Sequence, residues 1–425
     1  MRPDQRLDPM QTVDESQLTW PRKIVLGVQF LFVAFGSTVL VPILVSQGVG
    51  EEVMTPALAL FTAGVGTLLF HLVTQGKVPI FLGSSFAFIA PIILSTSLYG
   101  FSGTISGIMG VSLVYFIMSA LIRWRGVGII HKLFPPIVIG PVIMLIGLSL
   151  SGSAISMAQE NWIVAIIALA ASVLVMIKGK GMLRLIPIFI GIGVGYIAAL
   201  CFGLVDFEPV LAAPVFALPE FCGFHFCWEA MLFMIPVAIA PVVEHIGDVY
   251  VVNSVTGKDF TEDHGLHRTM FGDGLACLFA SLIGGPPVTT YSEVTGAMTI
   301  TGVKSPQVIR IAAVTAILFS LVGVISAFLS SIPSCVLGGI MMLLFGTIAC
   351  TGVSNMIDNK VDMTETRNII IFAVTMTLGI GGAAITVGTL TLSGIGLSAI
   401  AAVILNLILP KTKKQDGEPA EAVAQ

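Results

Sequence analysis

The chain is 425 residues long, 56% hydrophobic and only 10% charged. That balance excludes a soluble globular protein, in which charged residues make up about a quarter. It does not point to nucleic acid either, because the net charge is −4 and the 20 Lys and Arg residues are scattered in short segments.

Residues 1–21 read as a polar N-terminal tail. Through Thr19 it carries no apolar core, so no cleavable signal peptide is expected. Apolar stretches long enough to cross a bilayer follow at about 22–45, 55–76, 80–98, 103–122, 134–151, 161–177 and 184–205. After a loop at 206–227 they resume at about 228–251, 268–283, 287–303, 307–330, 333–352, 366–384 and 388–409. The count is fourteen, and residues 410–425 read as a short disordered tail.

The basic residues fall on one side. Lys77 lies in the second gap, Arg123, Arg125 and Lys132 in the fourth, and Lys178, Lys180 and Arg184 in the sixth. The eighth gap holds Lys258 and Arg268, the tenth Lys304 and Arg310, and the twelfth Lys360 and Arg367. Both tails are basic as well. The odd-numbered gaps carry acids instead: Glu51, Glu52, Glu160, Asp206, Glu208 and Glu220. Cytoplasmic loops retain Lys and Arg, so both termini are expected in the cytoplasm, in a multi-pass protein of the cell (inner) membrane. Of the six Cys, Cys222 and Cys227 flank an outside loop and could pair in an oxidising periplasm, although short spacing is a weak signal. No Cys/His spacing points to a metal site.

Two spans are anomalous. The third holds Lys77-Val78-Pro79 and then Gly83-Ser84-Ser85-Phe86-Ala87-Phe88. The tenth holds Gly284-Gly285-Pro286-Pro287 and then Val288-Thr289-Thr290-Tyr291-Ser292-Glu293. Each puts Pro, Gly and β-prone residues where an unbroken helix is expected, which a membrane tolerates only where the backbone is buried in protein or lines a cavity. These two spans are seven apart. So are the fifth and the twelfth, in which Phe134-Pro135-Pro136-Ile137-Val138-Ile139-Gly140 aligns with Ile332-Pro333-Ser334-Cys335-Val336-Leu337-Gly338. A repeat of seven spans is odd, so its second copy must be inverted. Inverted repeats with paired broken spans mark secondary transporters that bind near the midplane. The alternative is chance similarity among Gly-rich apolar helices.

Carboxylates inside spans are costly and therefore candidates for function. Glu244 and Asp248 stand four apart, on one helical face. Glu293 opens the helical half of the tenth span, where free backbone N–H groups and the positive end of the dipole offer donors. Acceptors beside donors suit a planar polar solute with alternating N–H and C=O groups along one edge. Neighbouring carboxylates out of water share protons rather than all ionise, which makes a proton the natural coupling ion. The plainer alternative is that these acids only hydrogen-bond helices together. His245 points about 100° from Glu244 and reads as a packing or hydrogen-bonding group. Phe86 and Tyr291 sit at the two breaks, where an aromatic can stack on a flat ring. Gly100-Phe101-Ser102-Gly103 matches the G-x-S-G of intramembrane serine proteases, but it lies in an outside loop without a His to act as base. Gly272-Asp273-Gly274 likewise lacks the partner Asp of an intramembrane aspartyl protease.

Several segments, in order along nearly the whole chain, resemble the nucleobase–ascorbate transporter family and within it the bacterial uracil permeases. They are Phe35-Gly36-Ser37-Thr38-Val39-Leu40-Val41-Pro42, Leu82-Gly83-Ser84-Ser85-Phe86-Ala87-Phe88-Ile89, Glu244-His245-Ile246-Gly247, Gly265-Leu266-His267-Arg268-Thr269-Met270-Phe271 and Pro287-Val288-Thr289-Thr290-Tyr291-Ser292-Glu293. The resemblance implies an all-α polytopic fold of fourteen helices in two inverted repeats, 22–205 and 228–409, with short antiparallel strands in spans three and ten. It implies a core domain of 22–122 plus 228–330 and a gate domain of 123–205 plus 331–409. It also implies proton-coupled uptake, often by a homodimer. Glu244 and Glu293 match the family's substrate-binding acids, and Phe86 a residue that contacts the base. Ser292 takes the place of a Gly whose backbone N–H meets the substrate. Asp248 matches a position held by His in uracil permeases and by Asp in many purine carriers, tied to proton coupling. Phe345 matches a gate-domain aromatic that closes over the site.

The chain departs from the pattern at three places. Gln29-Phe30 stands where the family usually has Gln-His, Val294 replaces an Asn after Glu293, and Gly302 replaces an Arg after Thr301. The expected function is a proton-coupled importer of a nucleobase, uracil first, with a xanthine- or urate-type purine symporter as the alternative. No cofactor beyond the proton is expected, and the partners are the nucleobase and membrane lipid. An anion carrier of the related sulfate/bicarbonate fold is the rival from another class, and Glu293 argues against it. A receptor-like protein without transport is a further rival, and an enzyme is the least supported reading.

Overall fold

Proline opens and glycine ends several of the long helices, because a fixed φ suits the first turn and a left-handed residue suits the stop. Helix α1 (Trp20–Val49) carries Pro21 in its first turn and stops at Gly50, φ 89°. Helix α2 (Pro56–Val73) starts under Thr55, whose hydroxyl accepts from Leu58 N–H at 3.2 Å. Strand β1 (Leu82–Ser84) and a single 3₁₀ turn at Phe86–Phe88 lead into α3 (Ile89–Arg125). Gly100, at φ 72° and ψ 162°, divides α3 into two segments between the expected third and fourth spans. This computed structural model describes residues 18–180, 183–184, 186–262, 265–387 and 390–410, so nearly all of both tails lies outside the described residues.

A short α4 (Gly128–Leu133) precedes α5 (Pro136–Ser149), α6 (Ser151–Gln159), α7 (Trp162–Lys178) and α8 (Pro187–Cys201). The loop at 206–227 carries α9 (Glu208–Ala212). The second half holds α10 (Trp228–Met234), α11 (Ile239–Thr256), α12 (Leu266–Ile283), strand β2 (Val288–Thr290) and α13 (Ser292–Thr301). It continues through α14 (Pro306–Ser320), α15 (Gly323–Ser330), α16 (Ser334–Asp358) and α17 (Thr366–Ile380). Strands β3 (Ala384–Val387) and β4 (Leu390–Ser393) pair with each other before α18 (Gly394–Ile408).

Four spans differ from their expected form. The fifth does not end at 151, because α6 extends it to Gln159 as a helix too polar to read as a span. The eighth is not one helix: α10 and α11 meet at a 44° bend around Pro236, whose ring and missing N–H disfavour a continuous helix there. The eleventh divides at Leu321–Val322, where the 206–227 loop docks. There Ala217 N–H donates to Leu321 O at 3.0 Å and Gly323 N–H to Val215 O at 3.2 Å. The fourteenth begins as β4 rather than as helix, in keeping with the β-branched run Ile385-Thr386-Val387 and with Thr391.

The helices pack in two groups. In one, α12 lies along α2 and α3, α14 along α1 and α2, and α10 along α3. In the other, α16 lies along α5, α6 and α7, α8 along α7, and α17 and α18 along α5. Helices α5 and α16 approach so closely that a Cβ on Gly352 would sit 2.5 Å from Gly140 O. Helix α11 touches both groups, meeting α12 and α13 on one side and α5 and α18 on the other. Among the described residues, five stretches are long and apolar enough to cross a membrane: Trp20–Val49, Pro56–Val73, Phe86–Arg125, Pro136–Gln159 and Ser334–Asp358. The bent pair α10–α11 makes a sixth, and five more apolar helices are shorter, at 10–17 residues.

Candidate functional site

Each broken span folds as a strand, and the two strands meet. β1 and β2 pair antiparallel, with Leu82 opposite Thr290, Gly83 opposite Thr289 and Ser84 opposite Val288. Ser85 N–H donates to Pro287 O at 2.9 Å and Tyr291 N–H to Phe81 O at 3.1 Å, extending the ladder at both ends. This pairing satisfies peptide groups that leave the helix inside a span. Tyr291 lies across the ladder. Its ring covers Gly83, where a Cβ would fall 2.3 Å from Cζ, and its hydroxyl donates to Ser84 O at 2.8 Å.

From β2 the chain turns directly into α13. Its cap residue is Tyr291, which offers no side-chain acceptor to the N–H groups of the first turn. Glu293 stands in that turn and accepts from the Ser37 hydroxyl of α1 at 3.4 Å. Helix α11 brings Glu244 and Asp248 alongside, on the shared face that their spacing predicts. Asp248 is nearly buried and accepts from the Thr290 hydroxyl at 2.5 Å.

Six of the seven residues singled out from sequence line one cavity of about 120 Å³: Phe86, Glu244, Asp248, Tyr291, Ser292 and Glu293. The seventh, Phe345, is buried behind Phe86, ring edge to face at 82° with centroids 6.1 Å apart. On its other side Phe345 lines a separate space of about 190 Å³, together with Gln47, Ile93, Ser153 and Ser156. The aromatic pair therefore stands between two cavities. The wall facing the carboxylates is built by Ile143 and Ile146 of α5 and by Ile348, Thr351 and Asn355 of α16.

His245 points away from the cavity into a fully buried cluster. Its Nδ1 lies 2.8 Å from Asp273 Oδ2 and its Nε2 2.9 Å from Thr269 Oγ1, both on α12. This fixes the rotation of α11 and so the direction of the neighbouring Glu244. The sequence weighs Asp273 only as a protease motif without its partner, not as a partner of His245, and it does not single out Thr351 or Asn355. An Asp between two glycines at membrane depth was a usable signal for the first, whereas nothing local marks the other two. Cys222 and Cys227 are free thiols with different neighbours, Gly223 O and Glu229 Oε2, and no disulfide joins them. A larger crevice of about 540 Å³ lies among α1, α8, α14 and α15, but its wall is hydrocarbon from Phe32, Phe35, Phe189, Phe319 and Phe328. The Tyr196 hydroxyl beside it is already bonded to Ser331 Oγ at 2.8 Å, so that space has little with which to recognise a polar solute.

Residues 21–388 match the permease family whose model covers the xanthine and uracil permeases. The chain belongs to the nucleobase–ascorbate transporter family. It is similar to a probable uracil permease of Pasteurella multocida, 49% identical over 91% of this chain and 94% of that one. A probable uracil permease of Haemophilus influenzae is 47% identical over 96% of this chain and 99% of its own. The uracil permease of Bacillus subtilis is 45% identical over 93% and 94%. These relatives are carriers rather than enzymes, and the permease is a multi-pass membrane transporter. Its fold is shared with SLC26A9, at a TM-score of 0.67 and 12% identity over 92% of this chain, which spans 66% of that longer one. It is shared too with the transmembrane domain of the cyanobacterium bicarbonate transporter BicA, at 0.62 and 14% over 92% and 98%.

Proposed function

We propose that this permease imports a nucleobase in symport with a proton, and that the base is uracil. The observation that carries the reading is the set of three carboxylates, Glu244, Asp248 and Glu293, on one cavity beside the first turn of α13. Glu244 and Glu293 accept the ring N–H groups, while backbone N–H groups at Ser292 and Phe86 donate to ring carbonyls. An edge of alternating donors and acceptors satisfies both sets, whereas an anion meets three acids. The relatives named uracil permease favour uracil. So does the volume of about 120 Å³, small against the ~300–1,000 Å³ of pockets for drug-sized ligands and better suited to one ring than to two. Asp248 and Ser292 support the second reading, a xanthine- or urate-type purine. The likeness to anion carriers is one of fold alone.

The reading includes fourteen spans in two inverted repeats, with both termini in the cytoplasm of a cell inner membrane. Antiparallel pairing of β1 with β2, one from each half, supports that symmetry. The reading assigns a core of 22–122 plus 228–330 and a gate of 123–205 plus 331–409, and the packing of α12 with α2 and α3 and of α16 with α5 and α7 supports it. The cavity reaches Val251, Thr351 and Asn355, toward the ends of α11 and α16 that lead into basic loops, which supports a state open to the cytoplasm. The Phe86–Phe345 pair then closes the outer path. A proton held within the Glu244–Asp248 pair couples occupancy to the rocking of core against gate. A homodimer belongs to the same reading, and the particle mass in detergent tests it.

The deciding experiment is thermal-shift binding of the purified protein to uracil, thymine, xanthine, urate, hypoxanthine, adenine and ascorbate at two pH values. It is followed by uptake into proteoliposomes with and without an inward proton gradient. Selective stabilisation by uracil and gradient-driven uptake are expected. Stabilisation by xanthine or urate moves the permease to the purine reading, and no response to any base ends the nucleobase assignment.

A further inference from the structure

The segment Gly265-Leu266-His267-Arg268-Thr269-Met270-Phe271 divides between two faces at the start of α12. Leu266, Thr269 and Met270 are buried, and Thr269 serves the His245 cluster. His267, Arg268 and Phe271 have no part in the nucleobase cavity. They line a separate hollow of about 510 Å³, with Val73 from the end of α2 and Ser119 and Arg123 from the last turns of α3. The Ser119 hydroxyl donates to His267 O at 2.6 Å, which fixes α3 against the first turn of α12. Below it the rings of Phe116 and Phe271 pair, with centroids 4.9 Å apart. Packed helices, not loops, give this hollow its shape.

Two guanidiniums from different halves of the chain meet there. Neither Arg123 nor Arg268 makes an ion pair or a side-chain hydrogen bond with a described residue. Other basic side chains are already committed: Lys23 donates to Gln307 Oε1 at 2.8 Å and Arg367 to Asn406 O at 2.8 Å. His267 and Arg268 also stand in the first turn of α12, whose positive end favours an anion. The flanks of the hollow are apolar. Leu72, Trp124 and Phe271 are exposed, and on α3 Leu113 and Ile117 share the exposed side with Trp124. A free anion in water has no use for these side chains. An anion that carries hydrocarbon uses both the charges and the apolar flanks.

We propose that Arg123 and Arg268 hold the headgroup phosphate of an anionic phospholipid in this hollow, with its acyl chains along Phe271 and the exposed side of α3. A guanidinium fork matches phosphate oxygens, and basic pockets between transmembrane helices recognise anionic headgroups in this way. A zwitterionic lipid brings an ammonium group that two arginines repel. The hollow is built wholly by α2, α3 and α12, which pack together. The lipid therefore anchors their packing group at the membrane face that carries the basic loops, and leaves the group of α16 free to move against it.

Native mass spectrometry of the purified full-length permease tests this, with equimolar phosphatidylglycerol and phosphatidylcholine of the same acyl chains. Wild type is expected to retain phosphatidylglycerol in preference. R123Q/R268Q should cut that preference about 10- to 30-fold, the contribution of two arginines near a membrane surface. K178Q/K258Q removes two exposed lysines outside the hollow and should keep the preference. If the double arginine variant melts lower than wild type, R123Q and R268Q are used singly, each with an expected loss of about 3- to 6-fold. An unchanged preference in the arginine variants, or an equal loss in K178Q/K258Q, overturns the site. Displacement of the lipid by millimolar inorganic phosphate, or equal retention of phosphatidylcholine by wild type, overturns an anionic lipid as its occupant.

Discussion

The Thr290 hydroxyl lies 2.5 Å from Asp248 Oδ2, a bond that ties the strand of the tenth span to the helix of the eighth. Both groups are buried, so removing the donor leaves a carboxyl oxygen without its partner. Thr290→Val keeps the shape and loses the hydroxyl. It should cost about 1–3 kcal/mol of stability and slow uptake, while Thr290→Ser restores both. Melting curves and initial rates for the two variants check this. Equal behaviour of Val and Ser would show that the bond does not hold the site.

Glu293 stands in the first turn of α13, where its carboxylate is favoured by the helix dipole and held by Ser37 at 3.4 Å. Glu293→Gln keeps the size and one carbonyl acceptor but replaces the other with a donor. A ring N–H that needs an acceptor then meets an N–H. Specific uptake should be abolished with little loss of expression, measured as transport per unit of membrane-inserted protein. Near-normal uptake would remove Glu293 from the binding site.

The buried His245–Asp273 pair makes a different kind of prediction. The Thr269 hydroxyl donates to Leu266 O at 3.0 Å, so its oxygen is left to accept from His245 Nε2–H. One proton then serves the 2.8 Å contact between His245 Nδ1 and Asp273 Oδ2, and the pair is neutral overall. Asp273→Ala strands the imidazole and should destabilise the protein by about 3–5 kcal/mol, the usual cost of breaking a buried pair from one side. The double change His245→Leu with Asp273→Leu should cost less than the sum of the single changes, because no polar group is stranded. Additive losses in chemical or thermal melts would argue against a coupled pair.

Much of this architecture was legible because membranes impose strict rules on sequence. Lys and Arg alternate between gaps, Pro-Gly runs cannot continue a helix, and two acids four apart must share a face, so Glu244, Asp248 and Glu293 could be brought to one place before any coordinates. Features that depend on distant contacts were not legible. Asn355 follows Thr351, Gly352 and Ser354 in an ordinary Gly- and Ser-containing stretch, and its place in the cavity is set by packing against α5, more than two hundred residues earlier. Helix α6 reads as a loop because Ser151, Gly152, Ser153 and Ser156 lower its hydropathy, yet its backbone lies against Gly338 of α16. The bend at Pro236 had a visible cause, but transmembrane helices often carry proline without breaking.

Gly83 offers the sharpest test of the paired strands. A methyl group there would fall 2.3 Å from the Tyr291 ring, in a ladder whose backbone partner, Thr289, cannot retreat without breaking the pairing. Gly83→Ala should therefore lower stability by about 1–3 kcal/mol or more through overpacking and weaken nucleobase binding with it. Gly346, with nothing within 4 Å of its would-be Cβ, is the matched control, and Gly346→Ala should melt like the wild type. Adding Tyr291→Leu to Gly83→Ala removes the ring that causes the clash, although it also loses the bond to Ser84 O. If the clash is the cause, the double variant should melt above Gly83→Ala alone. A double variant that melts lower still would place the need for glycine in the backbone of β1 rather than in the ring that covers it.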